Sequence, residues 1–228
     1  MTAHDVLVRC DEVARTFGRG RTAVVAVHSV TCEVRDRQRV AIMGPSGSGK
    51  STLLHLMAGL DLPTRGSVEW PAIGGRNQLR PGPISVIFQG PGLISALDVV
   101  ENVALPLLLA GSPPADARRA AHDALARLGL ESLGAKLPEE LSGGQAQRIA
   151  VARGLAGSPR LILADEPTGQ LDQATGAEVI DVLLEASLQS GAGLVISTHD
   201  QAVVDRLDLM WSMRDGRLDG VEVLTCSR

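Results

Sequence analysis

Eight consecutive residues, Gly44-Pro45-Ser46-Gly47-Ser48-Gly49-Lys50-Ser51, fill every fixed position of G-x-x-x-x-G-K-[ST], a spacing suited to holding a polyphosphate. Gly44, Gly47 and Gly49 let backbone N–H groups come close to an anion, and a helix starting at Lys50 would aim its positive end at the same charge. In loops of this kind the lysine, here Lys50, bridges the β- and γ-phosphates. Ser51 then places a hydroxyl on Mg²⁺, and Thr52 reaches the α-phosphate. A second reactive group closes the apolar run Leu161-Ile162-Leu163-Ala164, which ends in Asp165-Glu166. Side chains alternate along a strand, so these carboxylates face different ways and can take different tasks. Pro167 biases Glu166 towards an extended backbone. By itself, an exposed acidic pair ending a strand explains these residues equally well. A third group, Ser142-Gly143-Gly144-Gln145, joins a helix-capping hydroxyl to two bare glycines at the positive end of a helix, which is a second place for an anion. A merely capped helix is also adequate for it.

These groups need a frame. Residues 40–43 read as a buried strand running into the glycine loop and residues 50–60 as the helix after it, the context that a phosphate loop requires. Residues 6–8 and 29–34 alternate like strands. Residues 66–70 and 84–88 look like short strands joined by a Gly/Pro-rich connection, 71–83, with no helical pattern. A helix over 98–109 should be interrupted at Pro106. Residues 113–128 read as a helix with Ala117, Ala120, Ala121, Ala124, Leu125 and Leu128 on one face, capped by Ser112 and ended by Gly129. From Arg160 onward strands (161–164, 194–197, 209–213) alternate with helices (175–189, 201–206), and the chain closes on a turn at Asp215-Gly216. This rhythm predicts an α/β fold with a mostly parallel sheet and helices on both faces. Residues 95–158 are helical and interrupt it. The expectation is one domain, 1–228, in which 1–94 and 159–228 form a catalytic core with an antiparallel β-subdomain and 95–158 an inserted helical subdomain.

Composition narrows the function. Phe17, Trp70, Phe88 and Trp211 are the only aromatics and the formal charge is −4, so neither base stacking nor a global field favours nucleic acid. Cys10, Cys32 and Cys226 are far apart and odd in number, which suggests no disulfide framework or zinc site and fits a reducing cytosol. The opening Met1 to Asp5 has no charged and apolar signal-peptide pattern, and apolar runs such as 105–110 fall far below the ~18 residues of a membrane span. Work at a membrane would require another chain to supply the span.

Taken together, the glycine loop and Leu141-Ser142-Gly143-Gly144-Gln145 resemble the ATP-binding cassette family, the nucleotide-hydrolysing engines of ABC transporters, with motifs in family order from Phe17 to about Leu218. The resemblance implies a P-loop NTPase core with ATP and Mg²⁺ as cofactors. Residues 161–166 resemble its Walker B strand: Asp165 would hold Mg²⁺ and Glu166 would act as general base. By the same resemblance Gln89 touches Mg²⁺ or the attacking water, His199 bonds the γ-phosphate, and Asp172 crosses a dimer interface. Phe17 stacks on adenine, although a rare Phe could equally be core. The family places Ser142, Gly143, Gly144 and Gln145 too far from Lys50 to serve the same ATP. The resemblance therefore implies a head-to-tail dimer with a second copy or a homologous ATPase subunit, holding two ATP, and poor hydrolysis by a monomer. The implied setting is the cytoplasmic face of a membrane, bound peripherally to an integral membrane subunit. Phe88-Gln89, Leu93, Glu101-Asn102-Val103 and Leu105-Pro106 resemble the lipoprotein-releasing and macrolide-export branch, which points to export or extraction. Its pattern is broken by the short 71–83 connection and at Gln170, Ser95 and Asp98, where relatives usually carry Asn, Pro and Thr. A regulatory cell-division ATPase is the alternative, followed by a soluble ATPase of DNA repair or translation. His4, His28, His55 and His122 are assigned to structural or surface roles.

Overall fold

The computed structural model describes residues 5–80 and 82–224, so His4 and Cys226 lie outside the described residues. The chain begins with two long strands, β1 (Val6–Phe17) and β2 (Val24–Arg35), and passes through β3 (Arg39–Met43), α1 (Lys50–Met57), β4 (Arg65–Glu69) and β5 (Ile84–Ile87). Three helices follow, α2 (Val99–Leu109), α3 (Pro114–Arg127) and α4 (Gly143–Leu155). Then come β6 (Leu161–Asp165), α5 (Gln173–Ser190), β7 (Gly193–Thr198), α6 (Gln201–Val204), β8 (Leu209–Arg214) and β9 (Arg217–Val223).

The strands sort into two sheets. The larger has six strands in the order β5-β6-β7-β3-β8-β9, parallel except for the β8–β9 pair, and the smaller is antiparallel in the order β2-β1-β4. Strand β6 shows why the larger sheet is covered on both faces: Leu161 and Leu163 pack into one core with Leu53, Leu56 and Met57 of α1, and Ile162 and Ala164 into another with Val179, Ile180 and Leu183 of α5. The smaller sheet adds Leu7, Val8, Val13, Val27 and Val30 to the α1 side. Helices α2, α3 and α4 build a third core from Val99, Val103, Ala117, Ala121, Leu125, Ile149 and Ala152, while Val151 of α4 faces the sheet core. Helix α4 thus has one face for each.

Several expectations need correction. β1 runs for 12 residues, far beyond 6–8, because register shifts between Cys10 and Val13, with Glu12 at φ 46°, break the alternation that a sequence pattern relies on. β9 was read only as a turn; most of its residues are exposed, so it carries no apolar signal. Helix α2 continues through Pro106, whose neighbours Val103 and Ala104 are held in the helical core. Ser112 does not cap α3: Pro113 is the capping residue and makes no side-chain bond, while the Ser112 N–H closes the end of α2 on the Leu107 carbonyl at 3.0 Å. Pro114 opens α3 with its fixed φ instead. Helix α1 stops at Met57, where Gly59 takes φ 65°. The 71–83 connection holds one 3-10 turn, Arg76–Gln78.

The register also sets Cys10 opposite Cys32 on β1 and β2, although they are distant in sequence. Both are free thiols. Their mutual hydrogen bond and then burial push the Cys32 thiol well above its ordinary value, which makes it a poor nucleophile.

Candidate active site

The glycine loop is shaped by strands distant in sequence. A Cβ on Gly44 would lie 2.1 Å from the Met213 carbonyl oxygen of β8, and one on Gly49, at φ 100°, would lie 2.2 Å from that of Ala26 on β2. No side chain fits either place, so these two glycines serve close packing as well as anion approach. The turn between β8 and β9 clamps the loop from behind: the Gly216 N–H donates to the Ser48 carbonyl at 3.0 Å and the His28 N–H to the Gly216 carbonyl at 2.7 Å. Sequence reading assigned Asp215-Gly216 only a turn. Its sole sequence signal was that glycine, which says nothing of what the turn touches. Ser48 is 3% exposed, and its hydroxyl has no partner among the described residues.

Lys50, only 4% exposed, has its three donors matched by three acceptors. Nζ donates to the carbonyls of Gly44 at 2.9 Å and Pro45 at 3.1 Å, and lies 3.2 Å from Glu166 Oε1. It opens on a cavity of about 260 Å³ lined by Ala26, Ser46, Gly47, Gly49, Ser51, Thr52, Gln89, Asp165 and Glu166. Asp165 Oδ1 accepts from the hydroxyls of Ser51 at 2.9 Å and Ser197 at 2.5 Å. The two carboxylates therefore diverge, Asp165 towards two hydroxyls and Glu166 towards Lys50 and His199. Ser51, Asp165 and Gln89 together offer hydroxyl, carboxylate and amide oxygens, the hard donors that a small divalent cation takes.

Glu166 corrects one expectation. Its backbone is left-handed, φ 42°, and not extended. Its N–H donates to the carbonyl (3.1 Å) and the hydroxyl (3.0 Å) of Ser197, and its carbonyl accepts from the Gly169 N–H at 3.0 Å. Those bonds hold a conformation that costs a non-glycine residue about 1–3 kcal/mol and is typical of functional sites. Its Oε2 lies 3.7 Å from His199 Nδ1, and the His199 ring is 66% exposed. His199, Glu166 and Asp172 share a second open cavity of about 380 Å³.

Phe17 is 43% exposed, which removes the core reading. The Arg15 guanidinium lies 4.6 Å from the centroid of its ring, and Phe17 pairs with Val24, two residues along β2 from the cavity wall at Ala26.

The second candidate anion site is differently built. Ser142 Oγ accepts from the Gln145 N–H at 3.2 Å while Gln145 Oε1 accepts from the Ser142 N–H at 3.1 Å, a reciprocal cap on α4. A Cβ on Gly143 would meet nothing within 4 Å, but one on Gly144 would lie 2.2 Å from Thr175 Cγ2. Gly144 is thus required by packing on α5, and Gly143 by nothing among the described residues. None of residues 142–145 lines the Lys50 cavity. Asp172 caps α5, accepting from Thr175 N–H at 3.0 Å and Thr175 Oγ1 at 2.7 Å, and these bonds hold its carboxyl below the usual range. Among these site residues, sequence reading had missed Thr175 and Ser197.

Known proteins share this arrangement. Residues 27–169 match the family model described as ABC transporter. Over 222 residues the chain is 40% identical to the lipoprotein-releasing system ATP-binding protein LolD of Legionella pneumophila strain Paris, covering 94% of this chain and 98% of that protein. The LolD of strain Lens is 39% identical over the same length. Among solved structures, a dimeric post-hydrolysis state of the ATP-binding cassette MJ0796 bound to ADP and Pi superposes with a TM-score of 0.85 at 34% identity, over 96% of this chain and 99% of that one. The protein cbiO1 from Clostridium perfringens, described as part of the ABC transporter complex cbiONQ, reaches 0.84 at 28% identity over 96% and 89%. A glycine loop, a separately capped α4 and an acidic strand end in this order, with relatives matched along nearly their whole length, place the chain in the ABC transporter family as one of its ATP-hydrolysing subunits.

Proposed function

We propose that the chain hydrolyses Mg²⁺-bound ATP in a composite site shared with a second copy or a homologous subunit, and so powers lipoprotein or lipid extraction by a separate membrane subunit. The observation that carries this reading is the split of the site: Lys50, Asp165 and Glu166 line one cavity, and Ser142 to Gln145 lie outside it. ATP entering the cavity would set its phosphates against the N–H groups of residues 44–51 and draw Lys50 Nζ from the Gly44 and Pro45 carbonyls onto phosphate oxygens. That movement would free Glu166 Oε1 from Lys50 to accept a proton from the attacking water. His199 and Gln89 would orient that water and the γ-phosphate, Phe17 would cover the adenine, and Asp172 would face the second subunit. Bound Mg²⁺, held by Ser51, Asp165 and Gln89, would neutralise phosphate charge as it develops.

The N-terminal turn of α4, with Ser142 and Gly143 open, would close on the γ-phosphate bound to the other subunit. No helix among the described residues is long and apolar enough to cross a membrane. A groove of about 210 Å³ lined by Leu60, Val86, Phe88, Pro106 and Leu107, at the junction of α2 with the sheet, supplies an apolar seat for a segment of a membrane subunit on the cytoplasmic face. The likeness to lipoprotein-releasing ATP-binding proteins over 94% of the chain supports extraction over the cell-division alternative.

Gel filtration tests the composite site. Glu166→Gln should bind ATP, stall hydrolysis and run as a dimer with ATP, and a nucleotide-bound monomer would sink the reading. Ser142→Arg should abolish turnover and leave nucleotide binding by the monomer intact. The membrane assignment is tested by the protein that co-purifies in mild detergent, which should be lost on Phe88→Asp.

A further inference from the structure

We infer that Thr175 is a positioning residue that ties the two half-sites of one chain together. The inference rests on the composite-site reading, since it concerns how a chain's own cavity controls what it offers to the ATP of its neighbour. Thr175 lies in the first turn of α5, and the two halves of its side chain point to different partners. Its hydroxyl donates to Asp172 Oδ2 at 2.7 Å, joining its own N–H on the Asp172 carboxylate. Its Cγ2 methyl fills the space that a Gly144 side chain would need, 2.2 Å from the ideal Cβ. The first turn of α4 therefore rests on this methyl. The same helix pair is joined again further along by the Arg148–Glu178 ion pair at 3.1 Å.

The loop that leads to Thr175 is equally tight. It is wound by bonds from Gly169 N–H to the Glu166 carbonyl and from Leu171 N–H to the Thr168 carbonyl, both 3.0 Å. A Cβ on Gly169 would meet Gln89 Nε2 at 2.9 Å and Glu166 Oε2 at 3.5 Å, and one on Gly176 would meet Thr168 Cβ at 3.3 Å. With so little slack, a shift of Glu166 or Gln89 on arrival of phosphate moves residues 166–172 together. Asp172 carries Thr175 with it, and the Thr175 methyl carries the N–H groups at the start of α4. Each chain thereby adjusts its grip on the neighbour's ATP to the state of its own, which makes the two sites cooperative.

Contiguity alone does not establish coupling, so the test separates the two halves of the side chain. Steady-state ATP hydrolysis by the full chain is measured against ATP concentration, together with melting temperature and nucleotide binding at monomer concentrations. Thr175→Ser keeps the hydroxyl and removes the methyl, Thr175→Val keeps a methyl and removes the hydroxyl, and Thr175→Ala removes both. The Ser and Ala variants should drop from a Hill coefficient of about 2 to about 1 and lose at least about five-fold in turnover, with ATP affinity of the monomer unchanged. Thr175→Val should retain more cooperativity than Thr175→Ala, because the methyl contact with α4 remains. Retained cooperativity in Thr175→Ser overturns the inference, as does turnover that merely follows melting temperature across the three variants. If the parent chain is not cooperative and Glu166→Gln stays monomeric with ATP, the composite-site reading fails and takes the inference with it.

Discussion

The helix starts at Lys50 and at Gly143 are chemically alike and structurally opposite. Both combine small residues with the positive end of a helix, and both can bind an anion. At α1 the glycine loop is clamped from behind by β2 and the β8–β9 turn, and a lysine and two carboxylates stand in front of it. At α4 there is a capping box, an open Gly143, and no charged group among residues 141–145. The first end is equipped for chemistry, and the second only to grip. An anion bound at α4 would have to bring its cation and its base with it, as ATP on another subunit would do in the composite site proposed above.

Breaking the better-equipped end should have the largest effect. Glu166→Gln is expected to lower turnover by about 10²–10⁴, the range for loss of a general base, with ATP affinity retained; single-turnover hydrolysis measures it. The two glycines of α4 give the next contrast. Gly144→Ala forces a Cβ against Thr175 and should destabilise the fold by about 1–3 kcal/mol in denaturant titration. Gly143→Ala meets nothing among the described residues and should stabilise the helix slightly, yet still reduce ATP-driven dimerisation. Equal effects of the two substitutions on stability would erase the distinction between the intrachain and interchain roles of this end. Gly216→Ala sharpens the view of the first end: at φ 76°, with its Cβ 2.9 Å from the Ala26 carbonyl oxygen, it should loosen the clamp on Ser48 and weaken nucleotide binding in calorimetry.

The smallest effect should come from pH. Hydrogen bonds from Thr175 hold the Asp172 carboxyl below its ordinary value, so the stability it contributes is present above the unfolded-state pKa. That stability is lost as pH falls through the folded one. Asp172→Asn should therefore lower the neutral-pH melting temperature slightly, leave the value in acid almost unchanged, and so flatten the acid dependence between them.

Short contiguous motifs made most of the candidate site legible in the sequence. Residues 44–51, 142–145 and 161–166 each gather their reactive groups within one short segment, so the types and spacing can be read without knowing what packs behind them. The parallel sheet was legible for the same reason, since strands buried on both faces read as continuous apolar runs. Mostly exposed β9 and bulged β1 were not, because neither presents a regular apolar period.

Sequence alone thus determined which residues carry charge and catalytic potential, and in what order. Tertiary structure decided the rest: the left-handed backbone of Glu166, the hold of Gly216 on Ser48, the thiol pair Cys10 and Cys32, and the Thr175 methyl beneath Gly144. Each of these depends on a contact between segments far apart in the chain, and such contacts exist only once the sheets and helices have packed.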